Sequence, residues 1–227
     1  MPEDGRAVCA AQAASRGRNQ SARRRCGTLI GGKLMNLFRR IKYNAPFTIT
    51  FALISLVAFL VDQRTGGAAN RLLFGVYRSS LTDPLTYVRA FTHVLGHSSF
   101  AHYSGNIMLM LVLGPTLEER YGSATIFKLS AVTALVAGLA HCLLYSNTML
   151  LGASGIVFMM ILLSSVGGAK NGTIPLTLIL VAALYIGGEV MDGLFSADNV
   201  SQLSHIIGGV CGAVFGMARS GRGSGRR

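Results

Sequence analysis

The stretch Leu151-Gly152-Ala153-Ser154-Gly155-Ile156-Val157-Phe158 decides how this chain is interpreted, because it places a serine among small residues directly before an apolar run. In a soluble protein a glycine-flanked serine usually marks a turn. Here the apolar run continues to Val166, so a membrane helix is expected to begin at the serine. A buried hydroxyl without a partner costs roughly 2–7 kcal/mol. Ser154 is therefore expected to meet a polar group, and its small neighbours let another backbone or a substrate chain come close.

The composition is that of a membrane protein. The chain has 227 residues, of which 51% are hydrophobic and 13% charged, whereas soluble domains carry about 25% charged residues. Its formal charge of +12 is concentrated before the first apolar run and after the last one, at Arg6, Arg16, Arg18, Arg23, Arg24, Arg25, Lys33, Arg39, Arg40, Lys42, Arg219, Arg222, Arg226 and Arg227. Such clusters indicate membrane topology and contacts to anionic lipid. Nucleic-acid binding is disfavoured because no basic stripe is interleaved with aromatic residues.

No cofactor or metal site is indicated. His93 and His97, spaced i and i+4, would suit a metal, but nearby carboxylates are absent, so a role in loop structure is favoured. There is no HExxH sequence of a metalloprotease. The four cysteines form neither a CxxC pair nor a disulfide framework: Cys9, Cys26, Cys142 and Cys211.

Six apolar segments, each close to the length of a membrane span, predict an all-α polytopic membrane protein. They are Ala45–Val61, Phe100–Leu117, Ala124–Tyr145, Leu150–Val166, Thr173–Met191 and Val200–Ala218. Residues 1–43 are basic and lack apolar periodicity, so they are expected to be largely disordered and cytoplasmic, with Met35 as a plausible true start. Residues 44–218 form the predicted membrane domain, and residues 219–227 a basic cytoplasmic tail.

The distribution of basic residues predicts that both termini lie on the cytoplasmic side. The second, fourth and sixth segments then begin on the outer side, with His102 and Asn106, Ser154, and His205 in their first turns. Three distant parts of the chain thus place polar residues at one depth. Ionisable residues inside membrane spans are by default candidates for function.

His205 begins a helix face that continues with Gly208, Gly212 and Gly216. A glycine stripe lets a helix approach its neighbour closely. If that neighbour is the fourth segment, the imidazole reaches Ser154 and activates it as a nucleophile. Taken alone, a histidine that satisfies a backbone group at a helix start explains the residue equally well.

His102 and Asn106 are spaced i and i+4 and share one helix face. Two neutral donors directed into a dry cavity stabilise a developing oxyanion, an effect worth roughly 3–4 kcal/mol per donor. Hydrogen bonding between helices, worth about 1 kcal/mol, is the simpler explanation for the pair in isolation.

The ordered elements His102-x-x-x-Asn106, Gly152-Ala153-Ser154-Gly155 and His205-x-x-Gly208-x-x-x-Gly212 resemble the rhomboid family of intramembrane serine proteases. The resemblance covers roughly residues 45–218, and Leu117-Glu118-Glu119-Arg120-Tyr121-Gly122 adds to it. It implies a six-helix rhomboid-like bundle.

In that family Ser154 would be the nucleophile and His205 the general base, without a third acidic member. The Ser154 N–H, His102 and Asn106 would hold the oxyanion. Gly152, Gly155, Phe158, Gly208 and Gly212 would support the site. The substrates would be other transmembrane proteins, cleaved at a site that opens to the extracytoplasmic side.

The resemblance further implies that Asp192–Gln202 covers the site, that the fifth segment is a side gate, and that Glu118 and Arg120 fix the inner end of the second helix.

Two positions depart from the family pattern. Phe158 stands where a tyrosine is common, and Val88-Arg89 stands where a Trp-Arg pair is common. The main alternative function is a catalytically silent rhomboid-like protein that binds membrane clients, although such relatives typically lack the serine or the histidine. A small channel or transporter is a second alternative, and it would show flux that does not depend on Ser154.

Overall fold

A computed structural model of the chain describes residues 43–80, 82–168, 176, 179–180, 183 and 199–223. The segment predicted to be disordered, residues 1–43, lies outside the described residues except at its last position. The fifth predicted span, Thr173–Met191, is described only at isolated helical positions, and the predicted cap Asp192–Gln202 only from Asn199 onward. The described residues from Ala45 onward belong to one compact unit.

The described part of this unit is mainly helical, as the apolar segments predict. Its α-helices are α1 (Pro46–Arg64), α2 (Pro84–Thr92), α3 (Phe100–Tyr121), α4 (Ser123–Leu144), α5 (Ser154–Gly168) and α6 (Asn199–Gly223). A π-helical turn, Asn70–Phe74, and a 3-10 turn, His93–Leu95, lie in the first loop, which joins α1 to α3 and also contains α2. Five of the six predicted segments coincide with helices. By length and composition α1 and α4 suffice to cross a membrane, while α5 and α6 contain shorter apolar stretches.

Helix α5 lies at the centre of this arrangement. Its residues Ile156, Val157, Met159, Met160 and Leu163 are almost fully buried. The chain therefore places the segment that carries Ser154 among the other helices and away from the surrounding solvent or lipid. An apolar helix without a polar face is expected in such a position.

A carboxylate from α3 closes the first turn of α1. Glu118 accepts hydrogen bonds from the backbone N–H groups of Phe47 and Thr48, at 3.0 and 2.8 Å, and from the Thr48 hydroxyl at 2.6 Å. These N–H groups have no partner within their own helix, and the positive end of the helix favours a negative charge. Glu118 thus fixes this end of α3, as the family resemblance implies, whereas Arg120 is exposed and lies over the ring of Tyr121.

The first loop is fastened to α1 by a buried carboxylate. Asp62 accepts hydrogen bonds from the backbone N–H and the side-chain amide of Asn70, at 2.7 and 2.8 Å. The same amide donates to the carbonyl oxygen of His97 at 3.2 Å. The loop therefore has a defined fold that depends on contacts between residues far apart in the chain.

The first loop also holds the turn before α5. Val76 and Leu150 exchange two backbone hydrogen bonds of 2.9 Å, as an isolated antiparallel pair. Two residues further on, the Gly152 N–H donates to the carbonyl oxygen of His93 at 2.9 Å. The loop thereby sets the position of the segment that leads into Ser154.

Candidate active site

Ser154 is the first residue of α5 and is only 4% exposed. The first N–H groups of a helix lack partners within that helix and carry its partial positive charge. A negative charge that develops beside Ser154 would therefore meet backbone donors. The sequence prediction that a helix begins at this serine is correct.

Helices α5 and α6 meet at their glycines. A Cβ added to Gly208 would stand 2.0 Å from the Gly155 carbonyl oxygen, and one added to Gly212 would stand 2.3 Å from the Met159 carbonyl oxygen. On the α5 side, a Cβ on Gly155 would stand 2.7 Å from the Ser204 hydroxyl. No side chain fits at these crossings, so the two backbones approach each other as the glycine stripe predicts.

This crossing brings His205 onto the face of α5 that carries Ser154. The imidazole stacks on the ring of Phe158, with the centroids 4.3 Å apart and an angle of 11° between the planes. Phe158 lies one helical turn after Ser154, so both residues point to the same side of α5. Ser154 and His205 thus lie on two helices that cross here, and the imidazole rests on a residue one turn after the serine.

His102 stands against the turn that precedes Ser154. A Cβ added to Gly152 would lie 2.7 Å from His102 Nε2, and Gly152 has a φ of +122°, so an L side chain is excluded there for two reasons. Asn106 is 1% exposed, and its side-chain amide donates to the His102 carbonyl oxygen at 3.0 Å. His102 therefore borders the turn that precedes the serine, and Asn106 lies one helical turn further along α3.

A second layer behind His102 was not predicted. The ring of His97 meets the ring of His102 edge-on at 5.0 Å, and the Ser98 hydroxyl lies 3.1 Å from His102 Nδ1. Through its carbonyl oxygen, His97 is tied to Asn70 and from there to Asp62. The i, i+4 histidines suggested a role in loop structure, but nothing in the sequence pointed to Asp62 or Asn70.

Burial keeps two loop histidines neutral. Desolvation lowers the pKa of His93 to about 4 and that of His97 to about 3. Electrostatic repulsion makes a smaller contribution in the same direction. It comes from His141 for the pKa of His93 and from His102 for the pKa of His97. A neutral His97 suits its place beside His102, since two imidazolium rings at this distance would repel each other.

Within the part of the chain that the structure describes, no three His, Cys, Asp or Glu side chains are grouped as the ligands of a metal ion would be.

The fold defines a helical protein with helices apolar enough to cross a membrane, a serine at the start of one helix and a histidine on the helix packed against it. The chain belongs to the rhomboid family, because the Rhomboid domain model matches residues 84–222. The family resemblance inferred from the motifs is therefore confirmed.

Several rhomboid proteins are similar to this chain. The Rhomboid protease GluP of Bacillus subtilis is 26% identical over 183 residues, which cover 77% of this chain and 35% of GluP. The Rhomboid protease GlpG of Pectobacterium atrosepticum is 25% identical over 179 residues, which cover 74% of this chain and 60% of GlpG. Rhomboid-related protein 1 of Caenorhabditis elegans is 29% identical over 132 residues, 36% of its length. The chain thus matches between about a third and three-fifths of these relatives.

Proposed function

We propose that this protein is an intramembrane serine endopeptidase that cleaves other membrane proteins in or near their transmembrane segments. Ser154 is the nucleophile and His205 the general base. The observation that carries the proposal is the stack of His205 on Phe158, one turn below Ser154 on the same face of α5. The names of the similar proteins, GluP and GlpG, agree with a protease.

The reaction is acyl transfer in two steps. His205 takes the proton from the Ser154 hydroxyl as its oxygen attacks the substrate carbonyl carbon, and a tetrahedral intermediate forms. The C–N bond then breaks, and His205 gives the proton to the leaving amine. Water attacks the resulting ester with His205 again as base, which releases the second product and restores the serine.

The oxyanion is held by the Ser154 backbone N–H together with His102 and Asn106. The position of the N–H at the start of α5 and the contact of His102 with Gly152 support this assignment. Preorganised donors of this kind act strongly in a site that excludes bulk water, where each is worth roughly 3–4 kcal/mol.

The substrate enters as a transmembrane segment that unwinds near its outer end, because an intact helix keeps its carbonyl groups hydrogen-bonded. The proposal includes a bundle of six spans with both termini on the cytoplasmic side and the site open to the outer side. The fifth span would be the side gate and Asp192–Gln202 the movable cap. Residues 44–218 would form the protease domain between two basic segments that contact anionic lipid.

The test is labelling of the purified protein by a fluorophosphonate, which reacts with activated serines, beside cleavage of a reconstituted transmembrane substrate. We expect the wild type to be labelled and Ser154→Ala and His205→Ala to lose labelling and cleavage. Ser165→Ala is the matched control. This serine lies on the same helix, and its hydroxyl donates to the backbone carbonyl oxygen of Ile161. This variant should retain both activities.

An unlabelled wild type that binds a transmembrane client without cleaving it would replace the protease with the client-binding alternative. Solute flux that persists in Ser154→Ala would instead indicate a channel or transporter.

A further inference from the structure

A cavity of about 300 Å³ lies between α1, α4, the 3-10 turn of the first loop and α5. Its inner wall is formed by nearly inaccessible residues: Phe51, Val94, Ser130, Ala134 and Ile156. Its mouth is bordered by Ile54, Phe91 and Phe127, which are 47%, 46% and 58% exposed. The cavity is therefore deep in the unit and open at one side, and its volume falls at the lower end of the range for ligand sites, about 300–1,000 Å³.

The lining excludes a charged or strongly polar ligand. Thr50 and Ser130 are its hydroxyl-bearing residues, and none of the described lining residues carries a charge. The Ser130 hydroxyl is buried and has no hydrogen-bond partner among the described residues. An ordered water needs 2–4 polar partners, so two hydroxyl groups suffice for about one water and do not hydrate a space of about 300 Å³.

The surroundings of the mouth identify the occupant. The outer faces of α1 and α4 beside it expose apolar side chains: Leu53, Val57, Val132 and Val136. These are also the two described helices long and apolar enough to cross a membrane. The mouth is thus continuous with the surface that faces lipid in a rhomboid protein, and acyl chains are the groups in contact with that surface.

We propose that this cavity binds one acyl chain of a bilayer lipid. Atoms that line an unfilled apolar space lack dispersion contacts on the side that faces it. An acyl chain that enters from the adjoining bilayer supplies those contacts. Because lipid tails are as apolar as the lining, the gain comes from filling the space and not from leaving water.

The occupant would touch elements of the candidate active site. Ile156 follows Ser154 by two residues, and Val94 follows His93, whose carbonyl oxygen holds Gly152. The bound chain thereby completes the packing behind the serine turn. Lipid binding itself does not depend on the proposed proteolysis, so the two proposals stand or fall separately.

The experiment is photolabelling in vesicles of phosphatidylethanolamine and phosphatidylglycerol that contain a phospholipid with a diazirine in the middle of one acyl chain. Labelled positions are mapped by mass spectrometry in the full chain. We expect label on Phe51, Val94 and Ala134 in the wild type and equally in Ser154→Ala, which separates lipid binding from catalysis.

Two substitutions block the cavity from different helices. Ala131→Phe fills it from α4 and Ile54→Trp closes its mouth from α1, and each should reduce the label on the inner wall by roughly tenfold, because a chain that is sterically excluded is not captured there. Their matched controls are Val132→Phe and Leu53→Trp, at the adjacent exposed positions. Both should leave the label unchanged, and thermal unfolding should show that all four variants are folded.

Label on the inner wall that is no stronger than on the outer face at Val57 and Val136 would overturn the proposal. Label that survives both blocking substitutions would do the same, as would crosslinks showing residues 1–42 inside the cavity in place of lipid.

Discussion

The imidazole of His205 lies almost parallel to the ring of Phe158, with the two centroids 4.3 Å apart. A flat contact of this kind fixes the plane of the imidazole without using either ring nitrogen. The stack therefore orients the ring through its faces alone. The substitution of phenylalanine for the tyrosine common in the family keeps this contact.

Phe158→Ala removes the surface on which the imidazole rests. Aromatic pairs contribute about 0.5–1.5 kcal/mol, so we expect kcat for a reconstituted substrate to fall by roughly 2- to 10-fold with little change in KM. Phe158→Tyr preserves the ring and should retain most of the wild-type kcat. Equal kcat values for the alanine variant and the wild type would show that the stack does not orient the base.

Gly208→Ala places a methyl group 2.0 Å from a backbone oxygen of α5, which cannot move aside as a side chain can. We expect a loss of about 1–3 kcal/mol in the free energy of unfolding and loss of fluorophosphonate labelling. Gly209→Ala is the control on the same helix, since no described atom outside the backbone of this helix lies closer than 3.9 Å to its added Cβ. It should be neutral or stabilising, because alanine favours a helix by up to about 1 kcal/mol. Unfolding is followed by thermal denaturation in detergent.

Glu118→Ala leaves the first N–H groups of α1 and the buried Thr48 hydroxyl without an acceptor. Hydrogen bonds to charged groups contribute about 1.5–3 kcal/mol each. The three lost bonds share one carboxylate and do not add independently. We therefore expect the free energy of unfolding to fall by about 3 kcal/mol. Glu119→Ala, at the adjacent exposed residue, should change the unfolding free energy by less than about 0.5 kcal/mol. A similar loss in both variants would mean that the capping contact contributes nothing specific.

The buried loop histidines make stability depend on pH. Burial places the pKa of His93 at about 4 and that of His97 at about 3, below the unfolded value of about 6.5. Between these values the unfolded chain binds more protons, so the stability contributed by neutral histidines is complete above about pH 6.5 and is lost as the pH falls. From about pH 6.5 to pH 5, each of the two histidines should lower the free energy of unfolding by about 2 kcal/mol.

Thermal unfolding at a series of pH values tests this expectation. His97→Phe should show a shallower decline than the wild type, whatever its stability at neutral pH. Leu95→Met, a substitution in the same loop that titrates nothing, should keep the wild-type slope. Identical slopes for wild type and His97→Phe would show that His97 is not held neutral in the folded state.

Much of the helical architecture can be predicted from the sequence because membrane helices are long apolar segments. Helix α3 begins just before His102 and helix α5 begins at Ser154, as the sequence predicts. The glycine face that follows His205 lies on α6, also as predicted. The close approach of α5 and α6 was predictable as well, since glycines at i and i+4 leave one helix face without side chains. The number of spans and their orientation stay predictions.

The interior of the first loop could not be predicted. Its order depends on contacts between residues far apart in the chain, such as Asn70 with His97 and Val76 with Leu150, and no local periodicity encodes them. The partner of Glu118 is likewise 70 residues away, at Thr48. A local sequence pattern identifies residues whose side chains suit a given chemistry. The contacts that hold those residues in place are seen only in the folded chain.

The crossing of α5 and α6 has a consequence for how such a protein diverges. Where Gly208 meets the carbonyl oxygen of Gly155, the spacing of the helices is fixed by main-chain atoms that every amino acid possesses. The outward positions of α6, such as Ile206, Val210 and Val214, are consequently released to adapt to thicker, thinner or differently charged bilayers. Proteins of this architecture can change most of their residues over time, provided that the few glycines at the helix crossing are kept.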